Sequence, residues 1–419
     1  MKLLMVSAFV WVPEQKFVYK KSGTCVKIRL IFITAIMITG LRAQVISQDS
    51  AIYISKFIWD KLDTILTLDF SRIDKPDSPD SFKSYFHFPP IRQDTAGTCW
   101  AFSGISFLES ELYRIYEKKI KLSEMYIVYW EYIEKARHFI REKGRSHFGQ
   151  GSQERAVLLR MKQYGIVRAE DYSGLTGGET VYNHDHLFRE MKAYLDFLKA
   201  NNVWDEELAL SQIRMILSKY MGEPPPVIQV KRHMLTPKQY FDAEIHLPLE
   251  AYVSFMSFSS APFYELSEYK VEDNWWHDRS YFNVPLDDWY RAVVTAIQSG
   301  YTVGIGGDVS EPGKGRWNDV CLIPSFDIPS EAINQSAREF RFYNKTSTDD
   351  HGVHLVGYQK FADHDWFLIK DSSSSGYAGK FPGYFFYRDD FVRLKMLTFI
   401  VHRDAVQWLL EKCKTGVSE

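Results

Sequence analysis

The chain has 419 residues, of which 45% are hydrophobic and 16% aromatic. This composition supplies enough apolar material for a large buried core and excludes intrinsic disorder. The formal net charge is −2, but the first 43 residues hold seven basic residues and one acidic residue, which leaves 44 basic and 52 acidic residues, or −8, for the remainder. A mildly acidic body disfavours the basic footprint of nucleic-acid binding, so no nucleic-acid partner is expected.

The N-terminal segment has the pattern of an export signal. Lys27 and Arg29 precede an apolar run of about twelve residues, 30–41, which ends near the small residue Ala43. This length fits a signal peptide and is short of the roughly 20 residues that a membrane span requires. We expect residues 1–43 to be a signal peptide, the protein to be periplasmic or secreted, and the mature chain to have no membrane span. The alternative is a short buried helix in a cytoplasmic protein.

The next elements are predicted to be helical. Residues 44–84 are expected to form an N-terminal extension with one short helix, Ile52–Leu66. A long helix is predicted to start at Cys99, because apolar residues then recur at helical spacing. Those residues are Ile105, Leu108, Leu112 and Ile115. Further helices are predicted at about 124–142, 153–164, 184–220 with a break near 201–202, and 286–299.

The C-terminal third changes to β-branched and aromatic runs separated by turns. Strands are predicted at residues 301–306, 354–358, 366–370, 383–387 and 397–402. We therefore predict an α+β protein with a helical lobe, a helical insertion and an antiparallel β lobe, and with a cleft between the lobes.

The four cysteines are Cys25, Cys99, Cys321 and Cys413, and they show neither a CxxC pair nor metal-ligand spacing. No metal and no cofactor is predicted. Removal of the signal peptide would leave three cysteines, of which at least one must be a free thiol. Cys99 is expected in the first turn of a helix, where the helix N-terminus and a neighbouring imidazolium stabilise a thiolate nucleophile. Gln93, six residues earlier, is a candidate amide donor for an oxyanion hole.

Two motifs resemble the active-site segments of papain-like cysteine peptidases. The first is QDTAGTCWAFS, residues 93–103, in which a Gln stands six residues before a Gly-x-Cys-Trp cysteine. The second is HGVHLVGY, residues 351–358. The resemblance implies that Cys99 is the nucleophile, that Gln93 serves the oxyanion, and that His351 is the catalytic base at the start of a strand. By the same alignment, His354 faces away from the position of the catalytic base.

A third motif departs from that family. Asp371 stands where the family has an Asn, and Ser373 stands where a Trp normally shields it. We expect Asp371 to orient His351 and to hold its imidazolium more strongly than Asn would, in a contact that is wetter than usual.

The resemblance also implies a substrate-binding set. Register counting places Gly151 and Ser152 at the position of the Gly-Gly pair that binds the substrate backbone. Gly97 and Trp100 of the first motif complete the predicted set.

Segments 164–167, 221–225 and 235–241 resemble the bleomycin hydrolase/aminopeptidase C branch. This resemblance implies a peptidase domain over residues 85–419 with a helical insertion at about 167–285, aminopeptidase action on short peptides, and assembly as a homo-oligomer, a hexamer in that branch. Members of the branch place their C-terminal arm in the cleft, but the residues after 402 look short for that role, so exo- and endopeptidase action stay open. The alternatives are a Cys-His-Asp acyltransferase and a catalytically weak peptide-binding homologue.

Overall fold

The computed structural model describes residues 49–58 and 61–415. The predicted signal peptide, residues 1–43, lies outside this range. Within the described residues, no helix combines the length and the apolar character that crossing a membrane would require.

The first described element is a β-hairpin, so the helix predicted at Ile52–Leu66 is wrong. Strand β1 (Ala51–Ile58) pairs antiparallel with β2 (Lys61–Leu68), and Ile54 lies opposite Ile65. Both segments are rich in β-branched residues, which lose side-chain freedom in a helix and fit the pleated surface of a strand. The paired strands satisfy the backbone hydrogen bonds that the expected helix would have made internally.

The helical lobe follows a short strand, β3 (Lys83–Ser84). Its helices in chain order are α1 (Cys99–Tyr116), α2 (Glu124–Arg141), α3 (Glu154–Tyr164), α4 (Asp185–Ala200) and α5 (Glu206–Met221). A small hairpin then joins β4 (Ile228–Val230) to β5 (His233–Leu235), before the short helix α6 (Pro237–Tyr240). The predicted helices agree with these bounds, and the break near 201–202 separates α4 from α5.

The remaining elements build the β lobe. They are β6 (Tyr252–Met256), β7 (Glu265–Ser267), β8 (Tyr281–Asn283), α7 (Leu286–Gln298), β9 (Val303–Gly307), β10 (Lys314–Gly315), β11 (Val320–Cys321), α8 (Gln335–Tyr343), β12 (His351–Phe361), β13 (His364–Lys370), β14 (Tyr384–Arg388), α9 (Asp389–Lys395), β15 (Met396–His402) and α10 (Gln407–Thr415). One sheet runs in the order β10-β11-β14-β13-β12-β9-β15-β6-β8-β7, with β3 paired to β12. Its pairs are antiparallel except β11–β14 and β6–β8. The predicted α+β class is confirmed.

Helix α1 lies between the two halves of the fold. It packs against β12 and β9 on one side and against α2 and α3 on the other. Every residue from Trp100 to Leu112 is buried, so the helix is enclosed rather than amphipathic at a surface. This packing fixes its N-terminus, and hence Cys99, relative to the first residues of β12.

The C-terminal helix α10 docks on the β lobe. Leu409 and Leu410 are buried in the same hydrophobic cluster as α7, and the Arg291 guanidinium lies 4.1 Å from the centre of the Trp408 ring. The described residues of α10 therefore pack on the β lobe beside α7 and do not extend along the cleft.

The packing of Phe399 in the core of the sheet leads to a first prediction. Phe399 is 1% exposed and stacks on Phe255 with ring centres 5.0 Å apart. Phe399→Ala should lower the free energy of unfolding by about 3–5 kcal/mol, because the buried ring is lost and a cavity remains. Denaturant unfolding measures the change. Phe340, which is 70% exposed, is the matched control: Phe340→Ala should change stability by about 0.5 kcal/mol or less, and equal losses in both variants would contradict the assignment of the core.

Candidate active site

Cys99 is the first residue of α1 and is partly exposed. The backbone N–H groups of the first helical turn have no intrahelical partners and carry the positive end of the helix dipole, which favours an anion such as a thiolate. Cys99 lines a cavity of about 230 Å³ together with Gln93 and His351. The structure thus brings His351 beside Gln93 and Cys99, which precede it by more than 250 residues in the sequence. The odd count predicts at least one free thiol, and all three cysteines of the described residues are free.

His351 is the first residue of β12, as predicted, and it pairs with Gly307 of β9. Its Nε2 lies 2.9 Å from Asp371 Oδ1, and both residues are buried. Burial disfavours the imidazolium, but the charges of Asp371 and Cys99 and the hydrogen bond to Asp371 outweigh it and raise the pKa of His351 to about 10. Because Nε2 is hydrogen-bonded to Asp371, Nδ1 is the ring nitrogen available to Cys99.

Asp371 is 1% exposed, so the expectation of a wetter contact is wrong. The turn that follows replaces the missing Trp: the Ser373 backbone N–H donates to Asp371 Oδ1 at 2.6 Å, and Gly376 packs over the carboxylate. Burial alone would raise the pKa of Asp371, yet the imidazolium of His351 and these hydrogen bonds hold it well below its usual value. Asp371 is therefore an ionised carboxylate buried against a cationic ring.

Gln93 is buried and tied to the segment that carries Asp371. Its Oε1 accepts a hydrogen bond from the Ser372 hydroxyl at 2.6 Å, and its Nε2 donates to the Ala96 carbonyl at 2.7 Å. An amide nitrogen has two N–H groups, so Gln93 can also donate into the cavity that it lines. The hydrogen bonds fix the plane of the amide, which is what an oxyanion donor requires.

His354 lies on the same strand but does not line the Cys99 cavity. Its Nδ1 is 2.8 Å from the Ser106 hydroxyl, which also accepts a hydrogen bond from Lys370 Nζ at 2.8 Å. Burial, and then the Lys370 charge, lower the pKa of His354 well below its usual value. His354 is thus a neutral buried residue, in keeping with the prediction that it faces elsewhere.

The predicted substrate-binding residues all line the same cavity. The Gly97 N–H donates to Gln150 Oε1 at 2.8 Å, and Trp100 Nε1 donates to the Gln150 carbonyl at 3.1 Å. Ser152 is buried, and its hydroxyl points away to Glu131 Oε1 at 2.6 Å. Its side chain therefore does not occupy the groove.

Four acidic residues of the cavity were not predicted from the sequence: Glu154, Asp273, Asp349 and Asp350. Glu154 is buried, and burial raises its pKa to about 7 against the opposing effects of Ser103 and His351. The run Asp349-Asp350 directly before His351 was a usable signal. Asp273 gave no such signal, because it lies in the loop between β7 and β8 and reaches the cavity only through the fold. Among the described residues, no group of three or more His, Cys, Asp or Glu could hold a metal.

These residues define a class of site. A thiol at a helix N-terminus, an imidazole held by a buried carboxylate, and a fixed amide beside them are the parts needed for acyl transfer through a thioester. The site belongs to the class of cysteine-dependent acyl-transfer centres.

The comparisons with known proteins agree with that class. Aminopeptidase C of Lactococcus lactis subsp. cremoris is 21% identical over 357 residues, which cover 76% of this chain and 81% of that protein. Aminopeptidase C of Listeria monocytogenes is 22% identical over 259 residues, or 52% of this chain and 58% of that protein. No protein-family model matches the chain.

Among solved structures, PepW from Lactobacillus rhamnosis HN001 superposes with a TM-score of 0.65 at 18% identity, over 81% of this chain and 85% of that one. This likeness concerns the fold, which is papain-like. Together with the sequence matches it confirms the predicted resemblance to papain-like cysteine peptidases of the aminopeptidase C branch.

The buried carboxylate makes a second prediction. Asp371 holds the imidazolium of His351, so the alkaline limb of the activity profile should lie near pH 10, far above the ordinary pKa of 6.5. Asp371→Asn keeps a hydrogen-bond acceptor and removes the charge, so the limb should move down by about one pH unit or more. The measurement is kcat/KM against pH from 5 to 11.

The raised pKa of His351 also makes the stability of the fold depend on pH. The folded-state pKa of His351 is raised, so the stability from its pairing is complete below about pH 6.5 and is lost as pH rises through about 10.

Asp371→Ala, which removes the acceptor as well, is the companion variant in the activity measurement and should lose more activity than Asp371→Asn. An alkaline limb that stays in place in Asp371→Asn would contradict the role of the charge.

Proposed function

We propose that the protein is a cysteine peptidase that removes residues from the N-terminus of short peptides through a thioester on Cys99. The observation that carries this proposal is the shared cavity in which Cys99 at the start of α1 faces His351, which is itself hydrogen-bonded to Asp371. The homology to proteins named aminopeptidase C supports the aminopeptidase direction.

The steps follow from the residues present. The Cys99 thiolate attacks the carbonyl carbon of the scissile peptide bond, and the negative charge moves to the carbonyl oxygen. The Cys99 backbone N–H and the Gln93 amide are the donors for that oxygen. The His351 imidazolium gives its proton to the departing amine as the C–N bond breaks, which leaves a thioester and a neutral imidazole.

The second half of the reaction reverses these roles. Neutral His351 removes a proton from water, the hydroxide oxygen attacks the thioester carbonyl, and the C–S bond breaks to release the acid and the thiolate. Asp371 keeps the imidazole oriented through both halves, and it stabilises the ring whenever the ring is cationic. The raised pKa of His351 favours a positively charged ring beside Cys99 before the first step.

Thiol labelling tests the proposed function. The protein is treated with iodoacetamide and with an epoxysuccinyl peptide, and the labelled residue is identified by peptide mass mapping. We expect Cys99 to be modified first, because burial raises the pKa of the Cys321 and Cys413 thiols and protonated thiols react slowly. Cys99→Ala should lower peptide hydrolysis by at least about 1,000-fold and leave thermal unfolding nearly unchanged.

Cys413→Ala is the matched control, since Cys413 is also a partly exposed free thiol and should leave turnover intact. Absence of labelling at Cys99, together with absence of hydrolysis across a set of fluorogenic peptides, would favour a peptide-binding homologue. Transfer of the acyl group to an added amine in preference to water would favour an acyltransferase.

The cellular setting is part of the same proposal. The apolar run before Ala43 supports export and cleavage at that point, and N-terminal sequencing of the mature protein tests it. The homology to the aminopeptidase C branch supports assembly into a homo-oligomer, which light scattering of the purified protein tests.

A further inference from the structure

Two carboxylates form one wall of the Cys99 cavity. Asp273 and Asp349 line this cavity and also line a neighbouring cavity of about 710 Å³, so they stand at the boundary between the two. Asp349 is two residues before His351, and Asp273 comes from the loop between β7 and β8 of the insertion. Their position beside the nucleophile puts them within the space that a bound substrate occupies.

Asp273 covers the backbone on which an extended substrate would lie. A Cβ placed on Gly151 would overlap the Asp273 carboxylate, so that carboxylate occupies the space directly in front of Gly151. The Gly151–Ser152 segment is the one predicted to pair with the substrate backbone on the N-terminal side of the scissile bond. A substrate residue preceding the cleaved one would therefore meet the Asp273 carboxylate.

This covering loop is held rigidly. Trp275 Nε1 donates to Glu131 Oε1 at 2.7 Å, the same oxygen that accepts the Ser152 hydroxyl. Asn274 is 1% exposed and donates to the Tyr269 and Asp278 carbonyls at 2.9 and 3.0 Å. Since one buried carboxylate on α2 anchors both the loop and the groove, Asp273 keeps its place relative to Cys99.

The wall has more negative than positive charge. The charges acting on Asp349 are those of Asp273, Glu154 and Asp350, and burial together with these carboxylates raises the pKa of Asp349 well above its usual value. Gln153 Nε2 donates one neutral hydrogen bond to it.

Lys135 is the main cation that acts on Asp273, and its ammonium is already engaged by the Gly149 and Gly151 carbonyls. Burial raises the pKa of Asp273 despite Lys135 and His147. Two carboxylates that destabilise each other next to a nucleophile can be stabilised by a cation that enters the cavity.

We propose that Asp273 and Asp349 bind the α-ammonium group of the substrate and so make this cavity selective for the N-terminal residue of a peptide. This proposal rests on the proposed function and names the groups that give it its exopeptidase direction. The ammonium replaces the missing counter-charge, while the Asp273 carboxylate excludes any residue that would precede it. The described residues of α10 do not line the cavity.

The test compares free with N-acetylated aminocoumarin substrates of alanine, leucine and arginine. The wild-type protein should cleave the free forms with at least about a 100-fold higher kcat/KM. Asp273→Asn and Asp349→Asn keep the shape and remove the charge, so each should raise KM for the free substrates by about 10- to 100-fold. Their kcat should change far less, because neither side chain touches the scissile bond.

A gain of activity provides a second readout that loss of structure cannot imitate. Asp273→Ala removes both the charge and the cover over Gly151, so it should gain hydrolysis of N-acetyl-dipeptidyl substrates. Glu272→Gln is the matched control, since the Glu272 side chain is 85% exposed and stands next to Asp273 in the sequence. It should leave the preference for free substrates within about twofold of wild type, and thermal unfolding of every variant confirms that it folds.

The outcomes separate this proposal from the proposed function. A wild-type protein that cleaves acetylated and free substrates equally well, or aspartate variants that keep the full preference, would overturn the ammonium site and leave the cysteine peptidase standing. Failure of the wild-type protein to hydrolyse any substrate, with Cys99 unlabelled, would overturn the peptidase itself.

Discussion

The site depends on the packing of α1 against β12, because Cys99 begins the one and His351 begins the other. A polar contact beneath the cavity fixes how these elements meet: the Ser106 hydroxyl on α1 is 2.8 Å from His354 Nδ1 on β12 and 2.8 Å from Lys370 Nζ on β13. All three groups are buried. Buried polar groups must keep their partners, so this contact resists any sliding of the helix along the sheet.

A carboxylate at position 371, in place of an amide, changes the electrostatics of the site. A neutral amide would orient the ring of His351, whereas a carboxylate also stabilises its cationic form. Burial makes that stabilisation strong, because little water screens the pair, and the Ser373 N–H gives Asp371 Oδ1 a second donor beside His351. The turn that supplies this N–H covers the carboxylate with backbone atoms, where the family uses the indole ring of a Trp.

The sequence was informative wherever one local pattern decided the outcome. The helix at Cys99, the strand starting at His351 and the partnership with Asp371 follow from short motifs, and the fold agrees with them. The hairpin of β1 and β2 was missed because a mixed run of apolar and polar residues fits a helix or a strand, and pairing with a second strand decides between them. Asp273 was missed because its place beside Gly151 is created by a loop more than a hundred residues away in the chain.

The loop that carries Asp273 also separates two tasks within one chain. The thiol, the imidazole and the amide lie at the start of α1, at the start of β12 and just before α1, whereas the side chain in front of Gly151 lies in the loop between β7 and β8 and is fixed there by Asn274 and Trp275. A change in the length or anchoring of that loop would alter how much of a peptide fits and leave the bond-breaking groups in place. Substrate length and chemical step are thus encoded in different stretches of sequence, which leaves each free to diverge without damaging the other.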